Sequence, residues 1–256
     1  MIRLIENVRD TAPIRGSDNA MCARVDSLFR TYAGAGCFAE FYIQENVGGP
    51  SALVASVDKD VTAFCRETAD FEELGRFLAL RGFRSLLCET RYCGPLGIKA
   101  DKTGPLLKRR AAFDFKQVPA ACRQAGRFEL ESVFGVLAAS GMVRPEQKKQ
   151  WLADVTAKYI KDAASVFAAF NGGEAFACAM ILHTSAAAAV VGAVATLPEY
   201  RGRGFAKALV GMASERAADR GRSVYLMCES ADLQQFYSGC GFEPYGFWSS
   251  AERSCD

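Results

Sequence analysis

The residues best suited to chemistry in this chain lie between Val194 and Leu209. The sequence there predicts an apolar strand, then a short turn with two glycines among basic side chains, then an amphipathic helix. Glycine lets the backbone approach a ligand closely, and the first N–H groups of a helix have no partner inside the helix. A phosphate or diphosphate group is the ligand that suits such a turn.

The spacing of this turn excludes the two common nucleotide-binding motifs. The chain has neither Gly-x4-Gly-Lys-Ser/Thr nor Gly-x-Gly-x-x-Gly followed by an acidic residue about 20 positions later. The turn instead reads Arg201-x-x-Gly204-x-Ala206. Three further segments follow it in order: a strand at 223–229, a helical stretch ending in Gln235-Phe236-Tyr237, and Gly239-Cys240-Gly241-Phe242.

In this order, the segments resemble the acyl-CoA-binding region of the GNAT superfamily of N-acyltransferases, over about residues 113–248. The resemblance implies an α+β fold with a mixed, mostly antiparallel sheet flanked by helices. It also implies that acetyl-CoA is the acyl donor, that the acetyl group passes directly to an amine, and that no metal ion takes part.

The resemblance also implies which residues hold the donor. Backbone N–H groups of the turn would bind the diphosphate, with charge added by two arginines, and main-chain groups of the preceding strand would bind the pantetheine arm. Ser230 stands where relatives commonly place an asparagine, and it keeps a hydrogen-bonding group there. The larger Leu233 narrows the space near the arm. The residues assigned to the donor are Val194, Ala195, Thr196, Arg201, Gly202, Arg203, Gly204, Phe205, Ala206 and Ser230.

The acid and base of the reaction are less well marked. Tyr237 stands where the superfamily often places its general acid, and a phenol can protonate a thiolate of comparable basicity. The alternative is a tyrosine that only packs beside Phe236. The strand before the turn has no carboxylate, so Glu229 is the nearest candidate base, with a surface or helix-capping charge as the equal alternative. His183 is more typical of a structural histidine, Glu174 of a solvated side chain, and water could also take the proton.

Composition narrows the other functions. The chain has 31 basic and 29 acidic residues in 256, so no basic stripe for nucleic acid is expected, and Lys108-Arg109-Arg110 is interpreted as a solvated face. No window approaches 18 uncharged apolar residues, so no membrane span is expected. Charges near Met1 argue against a signal peptide, and we expect a cytoplasmic protein. The ten cysteines lack metal-site spacing and lie mostly in apolar runs, so buried reduced thiols are expected.

The two halves of the chain repeat one order of elements. A helix at 18–32 is followed by strands at 38–44, 52–57 and 61–65, a helix from Phe71 and a strand at 84–89. Strands at 165–170, 175–182 and 187–196, a helix at 204–218 and the strand at 223–229 follow the same order. We therefore predict an internal duplication, with a degenerate GNAT-like domain at 1–105 and a GNAT-like acetyltransferase domain at 106–256. The first half has no glycine in its equivalent turn, where Thr68 or Asp70 would cap the helix.

Several alternatives stay open at this stage. A non-catalytic, regulatory acyl-CoA-binding module would also fit, and so would a tandem transferase that uses aminoacyl-tRNA, although the near-neutral charge disfavours RNA. The acceptor could be a small-molecule amine or a protein amino group. Trp151 either lines an acceptor pocket or packs in the core, and the protein could be a monomer or a homodimer.

Overall fold

The protein is represented by a computed structural model, which describes residues 1–34, 38–110 and 119–253. Strands β1 to β12 are Ile2–Leu4, Ala39–Asn46, Gly49–Val57, Asp60–Cys65, Ser85–Glu89, Lys102–Arg109, Cys122–Gln124, Ser165–Asn171, Glu174–Thr184, Ala188–Thr196, Ser223–Met227 and Phe242–Glu252. Helices α1 to α7 are Ala12–Arg15, Ala20–Tyr32, Phe71–Arg81, Leu130–Ala139, Lys148–Ile160, Phe205–Ala218 and Ala231–Ser238. None of these helices is long and apolar enough to cross a membrane.

The twelve strands form one sheet, in which the strands of the two halves follow the same order from the outer edge to the centre. The order is β1-β2-β3-β4-β5-β12-β6-β11-β10-β9-β8-β7. Only β4 with β5 and β10 with β11 pair in parallel, and every other neighbouring pair is antiparallel. The predicted fold class, a mixed and mostly antiparallel sheet flanked by helices, is confirmed.

The last strand of each half crosses to the other half. β6 pairs with β11 of the carboxyl-terminal half, and β12 pairs with β5 of the amino-terminal half. β6 and β12 also pair with each other at the centre of the sheet. Neither half therefore has a complete sheet without a strand from the other.

Helices cover both faces of the sheet, and α2 joins the halves. In the second half, α4 and α5 cover one face and α6 covers the opposite face. The side chains of α2 pack among residues of both halves, including Leu53 and Val190. From this helix, Arg24 donates hydrogen bonds to Thr62 Oγ1 (2.9 Å) and His183 Nε2 (2.9 Å), one in each half.

Side-chain caps fix where the helices of the first half begin. Helix α2 begins at Ala20, two residues later than predicted, because the Asn19 side chain accepts hydrogen bonds from the N–H groups of Met21 and Cys22. At α3 the predicted cap is confirmed, since Asp70 accepts from the Glu73 N–H at 2.9 Å.

The interpretation of Lys108, Arg109 and Arg110 as a solvated face is wrong for the first two. Lys108 pairs with Asp18 (2.6 Å) and Arg109 pairs with Glu215, and both basic side chains are largely buried. Only Arg110 is more than half exposed. Lys108 and Arg109 are the last two residues of β6, so their ion pairs hold the crossing strand to the segment before α2 and to α6.

Strand β6 itself was missed in the sequence, because Gly104 and Pro105 are typical strand breakers. Gly104 is required by close packing, since a Cβ there would lie 2.3 Å from the Cys228 carbonyl oxygen and 2.8 Å from Trp248 Nε1. The predicted domain boundary after residue 105 falls inside this strand. We propose that the halves divide after β6 instead.

Replacing Gly104 with alanine tests the packing at this junction. We expect Gly104→Ala to lower the free energy of unfolding by about 2–4 kcal/mol, because backbone atoms of the neighbouring strand end cannot give way easily. Urea denaturation measures this change. Gly94→Ala is the control, because a Cβ there meets nothing within 4 Å, and it should change stability by less than about 0.5 kcal/mol. Equal stabilities of the two variants would contradict the described junction.

Candidate functional site

A cleft opens where β10 and β11 part. Their parallel pairing runs from Ala188 with Ser223 to Val191 with Leu226, and then stops. β10 continues to Thr196 while pairing only with β9. Its backbone groups on the β11 side are therefore available to a ligand beyond Val191.

Bulges on the other side of β10 accompany this divergence. The pairing with β9 shifts register between Val190 and Val191 and again between Gly192 and Ala195. At the second shift Ala193 has a φ of 51°, in the left-handed region that non-glycine residues seldom adopt. Gly192 lies beside it, and a Cβ there would lie 2.7 Å from Leu182 Cδ1, so the leucine side chain would have to shift.

The end of β10 presents an unpaired buried hydroxyl. Thr196 Oγ1 is buried and has no hydrogen-bond partner among the described residues. The Thr196 carbonyl accepts a hydrogen bond from Arg201 Nε at 3.0 Å, so this carbonyl is already engaged. A buried hydroxyl without a partner is costly, so this position stands out from the other polar groups of β10.

The glycine turn leaves the start of α6 open. Gly202 and Gly204 have φ values of 73° and 82°, and a Cβ on either would meet nothing within 4 Å. Gly204 is the N-cap residue of α6, so the helix start has no side-chain cap of its own. At the equivalent start of α3, the Asp70 carboxylate caps the helix and would repel a phosphate. An anion is therefore favoured only at the turn of the second half.

Aromatic packing holds the turn in place. The ring of Tyr200 stacks on Phe176 with centroids 4.0 Å apart, and Phe205 meets Phe176 edge-on at 4.8 Å. Asn171 Nδ2 donates to the Tyr200 hydroxyl at 3.2 Å. Arg201 and Arg203 are both exposed, and the Arg203 guanidinium lies 5.6 Å from the centre of the Tyr200 ring. Guanidinium groups at this turn are suited to pairing with a diphosphate.

Tyr237 lies beneath the cleft, on α7. It is 7% exposed and packs in the same apolar cluster as Leu209, Cys228 and Phe242. Its hydroxyl has no hydrogen-bond partner among the described residues. Burial raises the pKa of Tyr237 above its ordinary value, so the phenol keeps its proton at neutral pH.

The other predicted site residues are more exposed. Glu229 lies in solvent between β11 and α7. Ser230 caps α7, and its hydroxyl accepts from the Leu233 N–H at 3.2 Å while its own proton remains free to be donated. The side chain of Leu233 is 43% exposed.

His183 and Glu174 both lie on β9, which pairs with β10 on the side opposite β11. His183 is buried against α2, and burial together with the charges of Lys158 and Arg24 holds its pKa well below its ordinary value. The neutral imidazole can accept the hydrogen bond from Arg24, which lies on the helix that joins the two halves. Glu174 accepts a hydrogen bond from Ser132 at 2.8 Å at the start of β9.

Cysteines contribute no metal site in the described parts of the chain. Eight of them are described, and each is buried and free. No group of histidine, cysteine or acidic side chains within residues 1–34, 38–110 and 119–253 is arranged to hold a metal ion. Cys37 and Cys255 lie outside the described residues.

The described residues fit an acyl-CoA. The open helix start, the two glycines with positive φ and the unpaired Thr196 hydroxyl follow one another along the cleft. Sequence reasoning predicted the turn and the main-chain groups of β10 as the donor site. It missed the Thr196 side chain and the Tyr200 stack, since burial and ring contacts have no signal in the sequence.

Comparison with known proteins finds a family match within the carboxyl-terminal half. The family model described as Acetyltransferase (GNAT) domain matches residues 162–244. A search of curated proteins finds no match.

Solved structures share the fold of the whole chain. A GNAT-family acetyltransferase from Colwellia psychrerythraea is 14% identical, with a TM-score of 0.58 over 99% of this chain and 100% of that chain. A GCN5-related N-acetyltransferase from Kribbella flavida is 15% identical, with a TM-score of 0.59 over 92% of this chain and 95% of that one.

A third similar structure is described as a tandem GNAT protein from the clavulanic acid biosynthesis pathway. It is 13% identical, with a TM-score of 0.58 over 98% of both chains. Identities this low speak for the fold alone, and the family match rests on the second half. Residues 162–244 therefore match the GNAT acetyltransferase domain model, and the fold of the whole chain is similar to that of these solved structures.

Proposed function

We propose that the protein transfers an acetyl group from acetyl-CoA to the nitrogen of an amine in the cleft of its carboxyl-terminal half. The observation that carries the proposal is the parting of β10 and β11 after Val191 and Leu226, directly before an open, glycine-lined helix start. A splayed parallel pair followed by an anion-binding turn suits a long ligand with a diphosphate at one end and amides along its arm.

Binding of the donor would be shared between the turn and β10. Backbone N–H groups from Arg201 through Ala206 would hold the diphosphate, with Arg201 and Arg203 adding positive charge. Val194 and Ala195 would offer main-chain groups to the arm, and Thr196 its hydroxyl. The bound donor supplies an activated thioester, so this chain's own residues need only orient it, polarise its carbonyl and manage protons.

Tyr237 is the proposed acid. Its buried phenol is protonated at neutral pH and makes no competing hydrogen bond, so it can donate to a leaving thiolate. Glu229 is the proposed base, as an exposed carboxylate at the carboxyl end of β11. The amino-terminal half would hold no donor, because Asp70 closes the start of its helix.

A regulatory module that binds acyl-CoA without turning it over is the second candidate. It is favoured by β10 itself, because none of the residues of Ala188–Thr196 is a carboxylate that could act as base. The two functions differ in what the loss of the Tyr237 hydroxyl would do.

Removing that hydroxyl should reduce turnover and leave donor binding intact. We expect Tyr237→Phe to lower kcat by about 100-fold, in the range usual for the loss of a general acid, while the Kd for acetyl-CoA stays within about twofold. Release of the coenzyme A thiol in the presence of a panel of amines measures kcat, and calorimetry measures the Kd.

Tyr200→Phe is the matched control for this experiment. The Tyr200 hydroxyl lies at the surface of the turn and accepts only from Asn171, so its loss should leave kcat unchanged. Unchanged turnover in Tyr237→Phe would show that Tyr237 is not the general acid. Acetyl-CoA binding without turnover in the wild type, with every amine, would favour the regulatory module.

The unpaired hydroxyl of Thr196 gives a second test of donor binding. We expect Thr196→Val to leave the free energy of unfolding unchanged or raise it by up to about 1 kcal/mol, since it removes a buried group without a partner. The same change should weaken acetyl-CoA binding about threefold to tenfold. Urea denaturation and calorimetry measure the two effects.

Thr184→Val is the control, and we expect it to change stability but not donor affinity. The Thr184 hydroxyl accepts from Arg30 at 2.8 Å, so its removal should lower the free energy of unfolding by about 1–2 kcal/mol and leave donor affinity unchanged. An unaltered Kd in Thr196→Val would mean that the ligand does not use this hydroxyl.

A further inference from the structure

A cavity of about 550 Å³ lies between the two halves. The amino-terminal half supplies one wall, from the turn between β3 and β4 and the residue before β5: Asp58, Asp60 and Arg84. The carboxyl-terminal half supplies the opposite wall, from the loop between α4 and α5 and the first turns of α5. Cavities of this size suit a small organic ligand.

Trp151 contacts both this cavity and the apolar core of the carboxyl-terminal half. It lines the cavity and packs on Phe134, with ring centroids 5.5 Å apart. It also packs against the apolar cluster that contains Ala195 of β10, the same cluster that Ala193 and Leu197 pack against. Through Trp151, the cavity therefore adjoins the apolar cluster that also holds Ala195 of β10.

The carboxylates of the cavity are already neutralised by neighbours. Arg84 pairs with Asp60 at 2.6 Å and with Asp58 at 3.5 Å. Asp154 pairs with Lys158 at 2.8 Å and accepts from the Tyr32 hydroxyl. A polycationic acceptor would need free carboxylates, so this wall does not favour one.

One positive charge of the cavity is left over. Arg144 is exposed in the cavity wall, and no carboxylate of the described residues forms an ion pair with it. Behind the wall, the guanidinium of Arg24 lies within electrostatic range of Asp60 and Asp154. In and behind the wall there are thus four positive side chains and three carboxylates: Arg24, Arg84, Arg144 and Lys158, and Asp58, Asp60 and Asp154. This excess of positive charge favours a ligand with a negative group.

We propose that this cavity is the acceptor site and that it takes a primary amine carrying a carboxylate, held by Arg144 with its apolar part against Trp151. The proposal rests on the proposed acetyl transfer, and it gives the amino-terminal half a role in selecting the acceptor. A guanidinium binds a carboxylate through two parallel hydrogen bonds, and an indole face accommodates an apolar side chain. An amino acid with an aromatic side chain has both parts.

Binding of acetylated product analogues tests the site without any turnover. N-acetyl-L-phenylalanine and N-acetylphenethylamine differ only by the carboxylate, and each is titrated calorimetrically into the full-length protein. We expect the compound with the carboxylate to bind at least about tenfold more tightly. Arg144→Gln should abolish this preference, whereas Lys149→Gln, which removes an exposed charge on α5 outside the cavity wall, should retain it.

A second variant tests the location of the site. Gln150 is an exposed residue of the cavity wall, so Gln150→Trp should fill the cavity without disturbing the fold and weaken both analogues about tenfold. Its Kd for acetyl-CoA should stay within about twofold of the wild type. Equal binding of the two analogues, no binding of either, or a preference that survives Arg144→Gln would overturn the proposal.

Failure of this proposal can be told apart from failure of the proposed function. If acetyl-CoA binds and acetyl transfer occurs but the analogues show no preference, only the acceptor assignment is lost. If acetyl-CoA does not bind, the transferase function is lost, and the analogue titrations still decide whether the cavity binds a carboxylate.

Discussion

The site depends on the fact that β10 cannot remain paired on both sides along its whole length. Near Gly192 its register shifts relative to β9, Ala193 adopts a left-handed backbone conformation, and pairing with β11 has ended at Val191. A sheet normally avoids such an opening, because unpaired backbone groups lose hydrogen bonds. Under the proposed function, the amides of the donor arm would take the place of the missing strand.

The other side of the cleft is held by strands that cross between halves. The Cys228 N–H, just after β11, donates to the Pro105 carbonyl of β6 at 3.1 Å, and Trp248 Nε1 of β12 donates to the Cys228 carbonyl at 3.1 Å. The position where β11 turns into α7, and so the position of Tyr237, is fixed by a strand from the amino-terminal half and by the strand beside it. This explains why a half without an anion-binding turn remains necessary to the architecture.

Much of this arrangement could be predicted from the sequence, and the reasons for the rest are physical. The elements of the second half follow from apolar periodicity, and the glycines at 202 and 204 mark the turn because their positive φ is unfavourable for other residues. Strand β6 could not be predicted, because Gly104 and Pro105 break the strand pattern, and the glycine is explained only by the close approach of the Cys228 carbonyl and the Trp248 ring.

The parts of the site that involve both halves were beyond sequence reasoning. Lys108 and Arg109 look solvated in the sequence, and only the crossing of β6 brings them to Asp18 and Glu215. Arg84 and Arg144 are far apart along the chain and face one cavity only because the halves pack together. Trp151 had two open interpretations, and the structure shows that it both packs and lines the cavity.

The most direct test of this account is a calorimetric titration of acetyl-CoA into the wild-type protein and the Gly204→Trp variant. Gly82→Trp is the control. Gly82 is the C-cap residue of α3 in the amino-terminal half, and like Gly204 it has a positive φ (69°) and open space where a Cβ would be. The account predicts one binding site per chain in the wild type and in Gly82→Trp, and none in Gly204→Trp. No binding to the wild type, or unchanged binding in Gly204→Trp, would contradict it.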